Sequence, residues 1–181
     1  MIRDATREDA ARVCEIYNHY VAGSIVTFEQ EPVTVSDMRG RIATSGAEHP
    51  WLVVERDIDG VVGFAFASPW KSRCAYRHSV ETSVYLAPDA VGRGLGSELY
   101  DRLLARLDEG GCRSAIGGIA LPSPASVALH EKLGFVKVAH FREVGFKFGA
   151  WIDVGYWQKL FTGKQPEDRS PDAGGDAGAP E

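Results

Sequence analysis

The stretch VYLAPDAVGRGLGSELYDRLLARLDEGG, Val84 to Gly111, sets glycines at alternate positions, Gly92, Gly94 and Gly96, between an apolar run and an amphipathic segment. Leu95, Leu99, Leu103, Leu104 and Leu107 form one helical stripe, and Gly110-Gly111 stops it. A helix N-terminus exposes unpaired N–H groups and the positive end of its dipole. A junction bare of side chains therefore lets a phosphate or pyrophosphate reach those donors, with Arg93 as a counter-charge. The same glycines would also suit a tight turn with positive φ, so the neighbouring segments must decide. Two familiar phosphate loops fit poorly: no Lys-Ser or Lys-Thr closes a P-loop, and a dinucleotide fingerprint needs G-x-G-x-x-G at the first βα turn rather than G-x-G-x-G here.

Outward from that junction the chain alternates. Toward the N-terminus, MIRDA reads as a short strand and Thr6 with Asp9 as a capping box. Ala10, Val13, Cys14, Tyr17, Tyr20 and Val21 recur at helical spacing. A weaker helical pattern runs from Ser36 to about Ser45. WLVVER and VVGFAFAS then read as strands joined through Asp57-Ile58-Asp59-Gly60, and VETSVYL as a third. Beyond the glycine-led helix come a strand, RSAIGGIAL, a proline-started helix in PSPASVALHEKLGF, and two closing strands, FVKVAHFREV and DVGYWQKLF. The order β α α β β β α β α β β predicts an α/β fold of the α+β type, layered on a central sheet. The segment from Gly163 to Glu181 is rich in Pro, Gly and Asp without apolar periodicity. It reads as a disordered tail after one domain over 1–162.

With 181 residues and 44% apolar content the chain is long enough for one sizeable core. A net charge of -5 and the lack of Lys/Arg runs argue against nucleic acid as a partner. The charged start MIRDATREDA is unlike a signal peptide, and no apolar run approaches the ~20 residues that span a bilayer, so a cytoplasmic protein without a membrane partner is expected. Cys14, Cys74 and Cys112 lie far apart without CxxC spacing, which fits reduced thiols, and no metal site is expected.

The ordered set of strand, GRGLGS loop, helix, strand and LHEKLGF resembles the acyl-coenzyme A-dependent N-acetyltransferases of the GNAT superfamily, over Ile2 to about Phe161. PWKSRCAYRHSVETSVYL, IALPSPASVALHEKLGF and GFKFGAWIDVGYWQK are similar to the phosphinothricin and methionine sulfoximine N-acetyltransferase group, and IYNHYVAGSIVTFEQEP agrees. The resemblance implies a mixed sheet of about seven strands flanked by about four helices, splayed where the coenzyme binds. It implies acetyl-CoA as co-substrate, with backbone groups of Val84, Tyr85 and Leu86 on the pantetheine. Gly92, Arg93, Gly94, Leu95, Gly96 and Ser97 would hold the pyrophosphate, with Ser123 and Lys132 as further contacts. Val91 stands where that superfamily prefers Gln or Arg, and Ser123 where relatives often carry Asn, which predicts weaker coenzyme affinity. Phe148 and Ile152 occupy positions where phosphinothricin-specific members can carry histidine. Relatives are commonly dimers, so a homodimer is expected.

Acetylating an ammonium requires a base to take its proton first. Glu81 interrupts a β-branched strand whose alternation puts Glu81, Ser83 and Tyr85 on one face and Val80, Thr82 and Val84 on the other. It is the candidate base, unless the strand is an edge and the carboxylate sits in water. His130, between Leu129 and Glu131 on the last helix, has an imidazole able to give or take a proton near neutrality. The resemblance makes it catalytic and leaves acid, second base and substrate contact open. Lys71, Arg73, Cys74, Ala75 and Tyr76, in the loop before the Glu81 strand, are candidate acceptor contacts. Arg73 offers a fork for a carboxylate or phosphinate, Lys71 a point charge and Tyr76 a hydroxyl. The resemblance adds Phe28 and Lys147, which by themselves read as a core residue and a surface residue. The function expected is transfer of acetyl to the α-amine of a phosphinothricin, methionine sulfoximine or methionine sulfone type acceptor by direct attack. The alternatives are another small amine or a peptide N-terminus as acceptor, or a non-catalytic coenzyme A sensor.

Overall fold

The structure is a computed structural model, and it describes residues 1–163. The expected tail, beyond Gly163, lies outside the described residues. Seven strands form one sheet in the order β1-β2-β3-β4-β5-β7-β6. They are β1 (Ile2–Asp4), β2 (Trp51–Arg56), β3 (Gly60–Pro69), β4 (Ser79–Leu86), β5 (Ser114–Leu121), β6 (Val136–Lys147) and β7 (Ala150–Leu160). The pairs are antiparallel except β4 with β5, which run parallel because helix α3 carries the chain back between them. The four helices are α1 (Ala10–Gly23), α2 (Val35–Ala43), α3 (Leu95–Glu109) and α4 (Pro124–Lys132).

The element order is the one the periodicities predict, and the stripes account for the packing. Leu99, Leu103, Leu104 and Leu107 of α3 are all buried, as are Val13, Cys14, Tyr17 and Val21 of α1. Helix α1 packs on β3 and β4, and α3 packs on β2, β3 and β4. Alternation assigns them to opposite faces: Tyr17 of α1 meets Phe64 and Tyr85, whereas Tyr100 of α3 reaches Thr82. Thr6 N–H donates to the Asp9 carboxylate at 2.7 Å, as a capping box requires, and this opens a 3-10 turn, Arg7–Asp9, ahead of α1.

The closing strands are longer than their periodicity suggests. β6 and β7 extend to a tight turn at Phe148 and Gly149, with φ of 53° and 76°. Two successive positive φ values are what a two-residue hairpin needs to match strand twist. A phenylalanine there gives no turn signal, which is why the sequence alone leaves 145–152 unassigned. The pairing also slips between Phe141 and Gly145, where Glu143 has φ 50°.

Candidate active site

β4 pairs with β3 along its whole length, from Val80 with Pro69 to Leu86 with Gly63, but with β5 only at Ser79, Val80 and Glu81. Past Glu81 the two strands part. β5 stays paired with β7 over all eight residues, so the sheet splits rather than frays. The split opens a cleft of about 370 Å³ between Thr82–Leu86 on one side and Gly118–Ala120 on the other, with α4 residues Ser126, Leu129 and His130 across its end.

The alternation of antiparallel pairing decides which backbone groups face that cleft. Ala87 N–H donates to Val62 O at 2.8 Å, so Ala87, Tyr85, Ser83 and Glu81 turn their amide groups to β3. Val84 and Leu86 turn theirs to the side β5 has left. The Leu86 carbonyl already accepts the Tyr20 hydroxyl at 2.6 Å. An extended ligand would therefore find Val84 N–H, Val84 C=O and Leu86 N–H, while Tyr85 contributes its side chain to the other face.

At the mouth of the cleft Gly92 and Gly94 have φ of 79° and 84°, and a Cβ on either would meet nothing within 4 Å. The glycines are needed for backbone conformation, and the space before them is open. Gly94 is the N-cap of α3, so the N–H groups of Leu95, Gly96 and Ser97 have no intrahelical partner. Lys132 of α4 brings its Nζ to 3.3 Å from Ser97 Oγ, at the positive end of the same helix. Ser123 is the N-cap of α4 and lines the cleft, and Arg93 is exposed beside the loop. Unpaired donors, an exposed cation and a wall without side chains suit a pyrophosphate, and the narrow split behind them suits an extended arm.

Glu81 and His130 lie on opposite faces of the sheet at the apex of the split. Two adjacent glycines of β5, whose Cβ directions must oppose, separate them. A Cβ on Gly117 would collide with His130 Nε2, whereas one on Gly118 would lie 3.2 Å from both Glu81 Oε1 and Tyr156 Cε1. Glu81 shares its face with Ser68, its partner on β3, and with Tyr156. Burial raises its pKa, and the Lys71 ammonium opposes that only in part. The carboxylate thus holds a proton more readily than an ordinary glutamate, as a base facing an ammonium should.

His130 is 5% exposed. Its Nδ1 lies 2.8 Å from the Ser126 carbonyl, which can only accept, so the ring donates there. Nε2 is left as the acceptor, 3.1 Å from the Tyr100 hydroxyl, and that hydroxyl lies 2.6 Å from Thr82 Oγ1. Burial lowers its pKa, so the ring is neutral near pH 7. Thr82, Tyr100 and His130 form one hydrogen-bonded chain on the α3 face, and His130 presents a basic nitrogen rather than an acidic one.

The acceptor candidates separate. Lys71 stands near Glu81, its Nζ 4.6 Å from the Trp70 ring centroid. Arg73, Cys74, Ala75 and Tyr76 sit in an exposed 3-10 turn, Cys74–Tyr76, and its approach. Phe28 and Lys147 exchange the places their residue types suggest. Phe28 is 41% exposed, its ring against the backbone of Gly145, while Lys147 is 4% exposed and donates to Ser24 O and Thr27 O. The reason is tertiary: β6 lies beside the loop after α1, and its glycine leaves room for the ring. Sequence reasoning misses Trp70, Phe141 and Tyr156, whose rings meet edge-on at 5.5–5.6 Å beside Glu81. It also passes over Tyr100. The Gly117-Gly118 pair inside a strand was the available signal, since strand glycines mark close approach.

A sheet split at its one parallel pair, with a bare helix N-terminus at the opening, defines an acyl-coenzyme-binding class of α/β protein. The chain belongs to the GNAT acetyltransferases: residues 2–155 match the acetyltransferase (GNAT) domain. It is 44% identical over 161 residues to a phosphinothricin N-acetyltransferase of Streptomyces viridochromogenes, covering 88% of this chain and 87% of that one. It is 36% identical to an L-methionine sulfoximine/L-methionine sulfone acetyltransferase of Salmonella typhimurium, over 95% and 98% of the two chains. A phosphinothricin acetyltransferase from Sinorhizobium meliloti, solved in complex with AcCoA, superposes with a TM-score of 0.88 at 36% identity, covering 96% of each chain.

Proposed function

We propose that the protein transfers acetyl from acetyl-CoA to the α-amine of a small amino-acid analogue of the phosphinothricin or methionine sulfoximine type. The observation that carries this reading is the pair of faces at the split: coenzyme-type features on the α3 side, and on the α1 side a half-buried carboxylate among Lys71, Trp70 and Tyr156. The group acetyl-CoA brings is a thioester carbonyl open to attack. Gly92, Arg93, Gly94, Leu95, Gly96 and Ser97, with Lys132 and Ser123, hold the coenzyme's polar end, and Val84 with Leu86 orients its arm. Glu81 takes the first proton from the acceptor ammonium, leaving a neutral amine to attack. The second amine proton is lost as the amide forms, and one proton ends on the departing sulfur. His130, neutral and held by Tyr100 and Ser126, receives or relays a proton at Nε2 on the coenzyme face. Lys71, with Arg73, Cys74, Ala75 and Tyr76 in the adjoining turn, meets the acceptor's anionic end.

The same reading includes a second copy of the chain. β6 is an edge strand, and Phe141, Phe146, Phe148 and Trp151 on the β6–β7 hairpin are all at least half exposed.

The test is acetyl-CoA-dependent thiol release with phosphinothricin, methionine sulfoximine, methionine sulfone and a panel of ordinary amines. Turnover of an amino-acid analogue is expected, and Glu81→Gln should lower kcat by roughly 10²–10⁴-fold with coenzyme binding retained. Binding of acetyl-CoA without turnover of any amine would instead indicate a coenzyme sensor.

A further inference from the structure

Lys147 is a buried lysine that the chemistry above does not use. Among the described residues it forms no salt bridge, in contrast to Asp9, the other buried charged side chain, whose carboxylate meets Arg3. A buried ammonium without a counter-ion is costly, so its partners must be definite. They are two backbone carbonyls of one irregular segment and an aromatic ring: Nζ donates to Ser24 O at 2.9 Å and to Thr27 O at 2.8 Å, and it lies 4.9 Å from the Phe148 ring centroid. Ser24 is the C-cap of α1, where the helix dipole is negative and a cation is favoured. Burial alone pulls the Lys147 pKa below the ordinary lysine value.

Two residues earlier on the same strand, Gly145 leaves the space that the Phe28 ring fills. β6 therefore holds the segment after α1 twice, its carbonyls through Lys147 and its aromatic ring through Gly145. The segment in turn reaches the catalytic strand. Thr27 Oγ1 lies 2.7 Å from the Tyr17 hydroxyl, and the Tyr17 ring meets Tyr85 edge-on at 5.2 Å, on the face that carries Glu81. The contact closes a connection between parts of the chain about 120 residues apart.

We propose that Lys147 is a positioning residue of the acceptor site: it fixes the Ser24–Phe28 segment against β6, so that Phe28 walls the pocket, and it does not bind the acceptor itself. This rests on the α1 face being the acceptor side. Two of the three ammonium donors are taken by the Ser24–Thr27 backbone and Nζ lies 4.9 Å from the Phe148 ring centroid, so the charge is already engaged within the protein and an acceptor carboxylate would find only the third donor.

The experiment compares the native enzyme with Lys147→Met, and with Lys147→Gln as a second, donor-bearing variant should the methionine fail to fold. Amide hydrogen exchange is the readout that does not depend on activity. Deuterium uptake over residues 25–28 should rise in the variant while β4 is unchanged. In turnover the acceptor KM should rise about tenfold with kcat within about twofold, as loss of charge-assisted hydrogen bonds by a non-reacting group implies. The acetyl-CoA Kd should stay the same. On a Phe28→Ala background, Lys147→Met should raise KM by less than about twofold more, because the two act as one unit. A raised KM with unchanged exchange over 25–28, or KM losses that multiply fully, would overturn the proposal and make Lys147 a direct ligand. If the native enzyme turned over no amine, the acceptor reading would fail, and exchange would still decide whether the clamp exists.

Discussion

Glu81 combines a role and a cost. Its pKa is raised in the folded chain, so folding is favoured while the group is protonated, and that contribution is lost as pH rises from the unfolded value through the folded one. Wherever it is ionised the carboxylate therefore destabilises the fold, and Glu81→Gln should raise Tm in calorimetry at pH 8 while it lowers kcat. An unchanged or lower Tm would mean that the carboxylate has partners that offset its burial. Lys71 is the cation that opposes the shift, so Lys71→Met should raise the Glu81 pKa further. The acid limb of the kcat/KM profile then moves to higher pH, and a move to lower pH would disconnect Lys71 from the base. The residue scale is also where sequence reading was weakest. Phe28 and Lys147 carry no sign of the environment they enter, because exposure depends on which strand passes beside them.

The decisive elements are β5 and the junction before α3. Gly117 and Gly118 are adjacent, yet a methyl on each has a different target. Gly117→Ala drives into the His130 ring, which is fixed by Ser126 and Tyr100, and should destabilise by about 1–3 kcal/mol in denaturant unfolding. Gly118→Ala meets Glu81 and Tyr156 at 3.2 Å, a tight contact that those side chains can relieve by shifting a few tenths of an ångström, and it should lower kcat with a smaller loss of stability. Equal effects in both assays would contradict the assignment of the two faces. At the junction, Gly94→Ala has open space for its methyl and a φ of 84° that an L-residue reaches at a cost of about 1–2 kcal/mol. Coenzyme affinity by calorimetry should fall with it, while Gly46→Ala, in a loop with equally open space and no positive φ, should leave affinity as it was. The glycine loop and the strand–helix order were legible because spacing encodes them. The Phe148–Gly149 turn was not, since its conformation is imposed by two long strands that pair only with each other and β5.

At the scale of the molecule, the sheet ends at the edge strand β6, and its hairpin with β7 bears large apolar side chains. Trp151 is 64% and Phe146 50% exposed. Sedimentation at micromolar concentration should show a dimer, and Phe146→Lys with Trp151→Lys should convert it to monomer. A native protein that sediments as a monomer at that concentration would leave the hairpin without a partner of its own kind. Among the described residues no helix is long and apolar enough to cross a membrane.

The sequence by itself determined the element order, the stripes that bury α1 and α3, the alternation that isolates Glu81, and the glycine junction. All of these follow from local periodicity and backbone sterics within a few residues. Tertiary structure alone decided that β4 and β5 part after Glu81, that Val84 and Leu86 rather than Tyr85 offer backbone groups to the gap, and that His130 is neutral behind Tyr100. It also decided that Lys147 is spent on a distant loop. Those outcomes depend on pairing register and on contacts between segments far apart in the chain, and no local pattern of residues carries either.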